Sequence, residues 1–482
     1  MTYLIFFGII CYIVYRNTRD DTPKSVKLTN YSGYKSPIVN IKLNEDKIFI
    51  ENIQLNEEQQ SLFEKIENTN NHFFITGKAG TGKSVLLQYF KYKSQKRLVI
   101  GAFTGVAALN VGGQTLNSLF ELPIGFIDLK QLRVSGRVAT LMRHVDTVVI
   151  DEVSMVRADM MGAIDIVLRQ AKNLQIPFGG VQIVMFGDLY QLPPVVADEG
   201  LHEYFAHNHG GPYFFNANVW QEMKLHTYEL SHNFRQQNDE VFKTVLNAVR
   251  KNQIDDSLLS ILNQRYVEFL PKDGVVTLAT RNATVNEINN RRLAELSTQE
   301  QIYRAEISGN LERSAFPAEE FLILKKGAQV MLLKNDPEKR WVNGTVGVVE
   351  SLSPSEIKVR INGAIVYSIP KATWKKIRYF YNQETRTLDE ETLSTFTQFP
   401  LRLAWAFTIH KSQGKTYNSV VVNMEGGAFA HGQTYVALSR CVSLEGLYLT
   451  QPITPADIIT DPIVVNFMEQ IHIKEIESLS KS

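Results

Sequence analysis

The residues best suited to chemistry lie in one run, Gly77-Lys78-Ala79-Gly80-Thr81-Gly82-Lys83-Ser84. The spacing fits G-x-x-x-x-G-K-S, a loop that cradles phosphates. Glycines at positions 77, 80 and 82 let the backbone curl until several N–H groups face one anion. A helix starting where the loop ends would bring its positive pole to the same anion. Lys83 would then reach the β- and γ-phosphates of a nucleoside triphosphate, and the Ser84 hydroxyl would hold Mg2+. A plain strand-to-helix turn explains the glycines, but not a Lys-Ser pair at this offset.

Two other runs could complete such a site. Val148-Val149-Ile150-Asp151-Glu152 is an apolar stretch ending in two acids. Asp151 would help hold Mg2+, and Glu152 would polarise an attacking water. Phe186-Gly187-Asp188-Leu189-Tyr190-Gln191-Leu192-Pro193-Pro194 follows another apolar stretch. Gln191 could sense the γ-phosphate or orient the water, on a loop stiffened by its proline pair. Alone, two acids at a strand end would be solvated caps of the next helix, and Gly and Pro suit any strand exit. Their company with the glycine loop is what argues for catalysis.

Such residues need rigid elements behind them. The loop follows Phe73–Thr76 and precedes an apolar run from Val85, so the order is strand, loop, helix. Leu98–Phe103, Thr147–Ile150 and Val181–Phe186 are also short and continuously apolar. That pattern marks strands buried on both faces of a parallel sheet. Helical segments lie between them, which makes the fold class α/β. A helix is expected from Leu55, with Leu62, Phe63 and Ile66 on one face. Asn56 would cap it, with Gln59 three residues on. A second α/β unit is carried by Val275–Ala279, Ser419–Asn423 and Tyr448–Thr450. Inside this second unit, from about Ala328 to Ile369, Thr345–Glu350, Glu356–Ile361 and Ala364–Ile369 read as short strands, with Asn362-Gly363 at a hairpin. They predict a small β insertion.

At 482 residues the chain exceeds one ordinary core. Its net charge of +1 neither demands nor excludes nucleic acid. The two cysteines, Cys11 and Cys441, make no disulfide framework or zinc cluster and suit a reducing compartment. Residues 1–15 carry no charge and are largely apolar, and Arg16, Arg19, Lys24 and Lys27 follow. About 20 apolar residues normally span a bilayer. A weak membrane anchor at residues 3–15 and a disordered start therefore both fit, and residues 16–52 read as a polar linker.

Six motifs occur in order: Gly77–Ser84, Asp151-Glu152, Gly187–Pro194, His232-Asn233-Phe234-Arg235-Gln236, His410-Lys411-Ser412-Gln413-Gly414-Lys415-Thr416 and Ala437-Leu438-Ser439-Arg440. The series resembles that of superfamily 1 DNA helicases of the PIF-like (petite integration frequency) branch, related to RecD-type helicases. The resemblance runs from about Leu55 to Thr450. It implies two RecA-like parallel-sheet domains around an ATP cleft, one at residues 53–228 and one at 229–327 with 401–470. It also implies a wedge insertion near 119–140, an SH3-like β-barrel at 328–400 and a tail at 471–482.

The resemblance further implies residue roles. Gln59 would read adenine, although helix capping would occupy the same side chain. Arg235 and Arg440 would reach the γ-phosphate, where a planar guanidinium stabilises spreading charge. Gly414 and Lys415 would lie near the phosphates. Thr104 would contact single-stranded DNA. Asn117 stands where the family has histidine, so it keeps a donor but no titratable ring. His410, Lys411, Ser412 and Gln413 combine donors and a cation suited to DNA phosphates. Leu122–Phe126 falls at the wedge. Trp341 and Trp374 could stack on bases or simply be core.

The function so implied is an ATP- and Mg2+-dependent helicase. Cleft closure would drag single-stranded DNA and split forked duplex, in the 5′ to 3′ sense, during replication, repair or recombination. It would act as a monomeric motor inside the cell, in cytoplasm or nucleus. Two other classes share part of the sequence. One is a membrane-tethered DNA-binding scaffold with a vestigial ATPase, motivated by the apolar start. The other is a small-molecule phosphotransferase, which has no use for Arg235, Arg440 and a β insertion.

Overall fold

A computed structural model describes residues 53–480, apart from 124, 197–198, 237–238, 269–274, 339, 342, 362, 364 and 383–386. Residues 1–52, with the anchor expected at 3–15, lie outside the described residues. Among the described residues no helix is long and apolar enough to cross a membrane.

The first lobe is built on six parallel strands: β1 (His72–Gly77), β2 (Leu98–Ala102), β3 (Gln114–Thr115), β4 (Thr147–Asp151), β5 (Gln182–Phe186) and β6 (Leu225–Leu230). Alternate residues of a strand point to opposite faces. Accordingly Phe74, Val148, Ile150 and Ile183 enter one core, and Phe73, Ile75, Val149 and Val184 enter another. Burial on both sides is why these runs are continuously apolar. The strand order is β3-β2-β4-β5-β1-β6. β5 thus separates the glycine-loop strand from the acid strand. The loop, Gly187–Gln191 and Asp151 all leave the same edge, where open α/β sheets place their ligands. β6 carries no continuous apolar signal because it is a half-buried edge strand.

Two helices bracket the loop. α1 (Glu57–Asn68) starts with a reciprocal capping box: Gln59 N–H donates to Asn56 Oδ1 at 2.8 Å, and Asn56 N–H donates to Gln59 Oε1 at 3.2 Å. α2 (Lys83–Lys93) starts at the loop lysine itself.

The second lobe holds four parallel strands, in the order Ala406–Thr408, Val276–Ala279, Val420–Asn423, Leu447–Leu449. Ala406–Thr408 is hard to see in sequence, being three residues in a longer apolar run. Antiparallel strands occupy the segment between. One sheet orders Ile365–Ile369, Ile357–Ile361, Val346–Leu352, Gln329–Leu332 and Leu401–Leu403. The turn residue Asn362 lies outside the described residues, and the strands flanking it pair directly. A long hairpin pairs Ala372–Asn382 with Thr387–Gln398. Its first strand packs on the first-lobe helices Gly105–Val111 and Gly136–Arg143. Both tryptophans are core residues rather than base platforms. Trp341 packs 5.5 Å from Tyr367 and Trp374 lies 6.1 Å from Phe396.

Candidate active site and nucleic-acid face

The glycine loop is tight and touched from outside. Gly80 and Gly82 adopt φ of +87° and +82°, a region that L-residues with a Cβ avoid. Space forbids a side chain as well: a Cβ on Gly80 would sit 2.6 Å from Arg235 Cβ. Phe234 N–H donates to Gly80 O at 2.9 Å, and Asn233 Nδ2 donates to Ala79 O at 3.3 Å. The segment leaving β6 is therefore strapped along the loop. Lys83 Nζ donates inward, to Gly77 O at 2.5 Å and Lys78 O at 3.1 Å. Burial lowers its pKa against the pull of Asp188 and Glu152. Ser84 is exposed in the first turn of α2.

The acids face this lysine. Burial first, and Glu152 second, push the Asp151 carboxyl up to about 7. Glu152 is also raised by burial, against Lys83 and Arg440. It sits in the left-handed region at φ +50°, a strained placement of the kind found at functional sites. Gln413 Nε2 bridges Glu152 Oε2 at 3.1 Å and Gln191 Oε1 at 3.3 Å. Gln191 in turn donates to Asp188 Oδ2 at 3.2 Å. Two raised carboxyls beside one lysine are short of positive charge, and a divalent cation suits such a donor set. Among the described residues no group of three or more His, Cys, Asp or Glu could hold a metal by itself. Mg2+ would have to share its shell between Ser84, Asp151 and phosphate oxygens, as Mg2+ commonly does.

Both arginines come together at one residue. Arg235 Nη1 donates to Ser439 O at 2.9 Å, and Arg440 Nη2 donates to Ser439 Oγ at 2.9 Å. Arg440 also reaches Val436 O at 2.9 Å. Burial and the neighbouring Arg440 push the Arg235 guanidinium down to about 9. Two cations held by carbonyl and hydroxyl oxygens beside the phosphate loop make a ready anion site.

Other expected residues stand elsewhere. Gln59 is spent on its cap, and its Nε2 lies 3.4 Å from Gly82 O. Its amide nevertheless borders the loop. The Lys415 ammonium lies 3.0 Å from Met331 Sδ and 5.5 Å from the Phe407 ring, while its backbone O accepts from Arg440 Nη1 at 3.4 Å. Gly414 turns the chain at φ +77°. Ser412 is buried, its hydroxyl donating to Ile409 O at 2.7 Å. Gln413 serves the cleft, as described. Thr104 Oγ1 caps its helix, accepting from Ala107 N–H at 3.1 Å. Asn117 Nδ2 donates to Pro123 O at 2.7 Å, so it braces the loop expected to be a wedge. There Phe126 is no free tip, since its ring packs 4.7 Å from Tyr204.

His410 and Lys411 do face an open space. They line a cavity of about 470 Å³ with Thr280, Arg281, Asn282, Thr408 and Phe429. Phe429 is 58% exposed, and its ring lies near-parallel to His410, 6.5 Å apart. Cations, hydroxyls and an exposed ring are what a single strand needs, for its phosphates and its bases. Thr280, Arg281, Asn282 and Phe429 escaped the sequence reading. Thr280-Arg281-Asn282 had a signal, a polar turn at the end of an apolar strand. Phe429 had none. The buried partners Asp188, Arg250 and Tyr435 also lacked any local mark of a shared network.

A phosphate loop, strand-end acids, one arginine just past β6 and a second from the other lobe define a two-lobed, RecA-like P-loop ATPase. A sequence profile of the PIF1-like helicase family matches residues 54–263. The Bdellovibrio bacteriovorus ATP-dependent DNA helicase Pif1 is 34% identical over 431 residues, covering 87% of this chain and 93% of the relative. The human ATP-dependent DNA helicase PIF1 is 34% identical over 86% of this chain, which spans 63% of the human length. The chain belongs to the PIF1-like helicase family. A Bacteroides Pif1 crystal structure with ADP-AlF4 superposes with TM-score 0.82 at 36% identity, covering 88% of this chain and 98% of that one. Bacteroides Pif1 bound to single-stranded DNA gives TM-score 0.63 at 37% identity, covering 87% and 97%.

Proposed function

We propose that this chain hydrolyses ATP to move along single-stranded DNA and open forked duplex. One observation carries it. Gln413 joins Glu152 and Gln191 at 3.1 and 3.3 Å, while His410 and Lys411 in the same short turn line an open cavity beside Phe429. One short turn thus offers a physical link between the two sites.

The geometry suggests a sequence of events. The triphosphate takes the loop amides and Lys83, releasing that ammonium from Gly77 O and Lys78 O. Ser84 and Asp151 would hold Mg2+, which would supply positive charge to the phosphates. Glu152 accepts the proton of the attacking water, which Gln191 orients. Arg235 and Arg440 stabilise charge on the transferred phosphoryl group. All of these groups belong to one chain, so a monomer contains a complete hydrolytic site. The structural likeness supports coupling to DNA. Coverage and identity are nearly equal in the two Bacteroides comparisons, yet the TM-score falls from 0.82 with ADP-AlF4 to 0.63 with single-stranded DNA. The 5′ to 3′ sense, the wedge near Leu122–Phe126, an SH3-like insertion, work inside the cell, and service in replication, repair or recombination all belong to this proposal.

Strand displacement on forks with a 5′ or a 3′ single-stranded tail tests it. Unwinding is expected from the 5′ tail only, with ATP and Mg2+, and not by Lys83→Ala. ATP hydrolysis without any strand displacement would instead favour a DNA-binding scaffold.

A further inference from the structure

Tyr435 has no part in the chemistry described so far. It lies in the helix Gln433–Leu438, is 3% exposed, and turns its hydroxyl to the other lobe. That oxygen accepts from Ala79 N–H of the phosphate loop at 3.0 Å, and the O–H lies 3.4 Å from Asp188 Oδ2. Burial, then Asp188, raise the phenol pKa, so it stays a donor. Asp188 also accepts from Gln191 at 3.2 Å and Arg250 at 3.1 Å. Burial alone would raise this carboxyl, but Arg250 and Lys83 outweigh it and hold it low. Arg250 is anchored as well, 3.2 Å from Glu229 and 4.4 Å over the Tyr190 ring.

The helix itself is short, six residues, too few to hold its place by its own hydrogen bonds. Gln433 and Thr434 tie its start to its own lobe, at Phe429 N–H and Asp457 O. Tyr435 ties it to the other. The chain then runs straight into Ser439 and Arg440.

We propose that Tyr435 is a positioning residue for Arg440. Its hydroxyl pins the arginine-bearing helix of the second lobe to Ala79 and Asp188 of the first. Arg440 is thereby aimed at the reacting phosphate when the cleft is closed. The pin rests on the ATPase reading above. A core tyrosine whose hydroxyl is merely satisfied would look alike in the structure, but would act on stability alone.

A double-mutant cycle separates the two. Tyr435→Phe, Arg440→Ala and the double variant are compared in DNA-stimulated ATP hydrolysis, well below every melting midpoint. Tyr435→Phe is expected to lower kcat about fivefold, the worth of one buried hydrogen bond. KM for ATP should stay within about twofold, since aim matters more in the transition state than in binding. In the Arg440→Ala background the same substitution should add nothing to the loss in kcat. Losses that multiply in the double variant, or an unchanged kcat in Tyr435→Phe, would overturn the pin alone. An Arg440→Ala variant as active as the unaltered chain would overturn the site reading together with the pin.

Discussion

The ATP cleft and the face proposed to take nucleic acid meet in one turn, and they solve different problems. In the cleft, Gln413, Glu152, Gln191, Asp188, Arg250 and Tyr435 form a continuous chain of bonds between 3.1 and 3.4 Å. At the nucleic-acid face, His410, Lys411, Arg281 and Phe429 surround an open cavity. The first region must hold charge where no water can help, so each polar group needs a specific partner. The second meets a flexible polymer in water, so charge and an aromatic surface suffice. The cleft should therefore be brittle to substitution, and the face graded.

The largest effect expected is at Lys83. Lys83→Ala should lower ATP hydrolysis about a thousandfold, the upper range for losing one preorganised phosphate contact. Single-stranded DNA affinity, followed by fluorescence anisotropy, should stay within about twofold. An equal loss of DNA binding would break the division between the regions.

Next comes Arg250→Ala, which strands Asp188 as a buried charge. Denaturant unfolding should show a loss of about 3–5 kcal/mol. Lys411→Ala, on the exposed face, should stay within about 0.5 kcal/mol. That same Lys411→Ala should instead weaken DNA binding a few-fold and lessen the log–log salt slope by about 0.7, one phosphate contact on a single strand. A salt slope equal to that of the unaltered chain would remove Lys411 from the face.

The smallest effect sharpens the boundary. Burial, with Arg402 and Lys411 nearby, pulls the Lys415 ammonium from 10.5 down to about 7. Between those values the unfolded chain keeps a proton that the folded one has released. Stability contributed by this site therefore rises with pH from about 7 to 10.5, and its burial penalty is complete below about 7. Lys415→Met should flatten that rise and stabilise the protein by a few kcal/mol, at most about 5, at pH 6, measured by thermal melts. ATP hydrolysis should change less than about twofold, because the Lys415 ammonium lies against Met331 and Phe407. A large loss of hydrolysis would return Lys415 to the cleft.

Read alone, the sequence already marked the phosphate loop, Asp151-Glu152, Gln191, Arg235 and Arg440 as candidates, along with the parallel sheets beneath them. These were legible because their physics is local. Glycine spacing dictates the curl of a loop, and burial on both faces dictates a continuously apolar strand. It took the packed fold to show that Gln413 bonds to Glu152 and Gln191, that the Lys415 ammonium lies against Met331, that Asn117 braces a loop and that Phe429 borders the cavity of His410 and Lys411. It also decided that Tyr435, Asp188 and Arg250 meet. Apart from the local Asn117 brace, those facts join residues far apart in the chain, and they follow from how the two lobes pack, for which no run of neighbouring residues carries a signal.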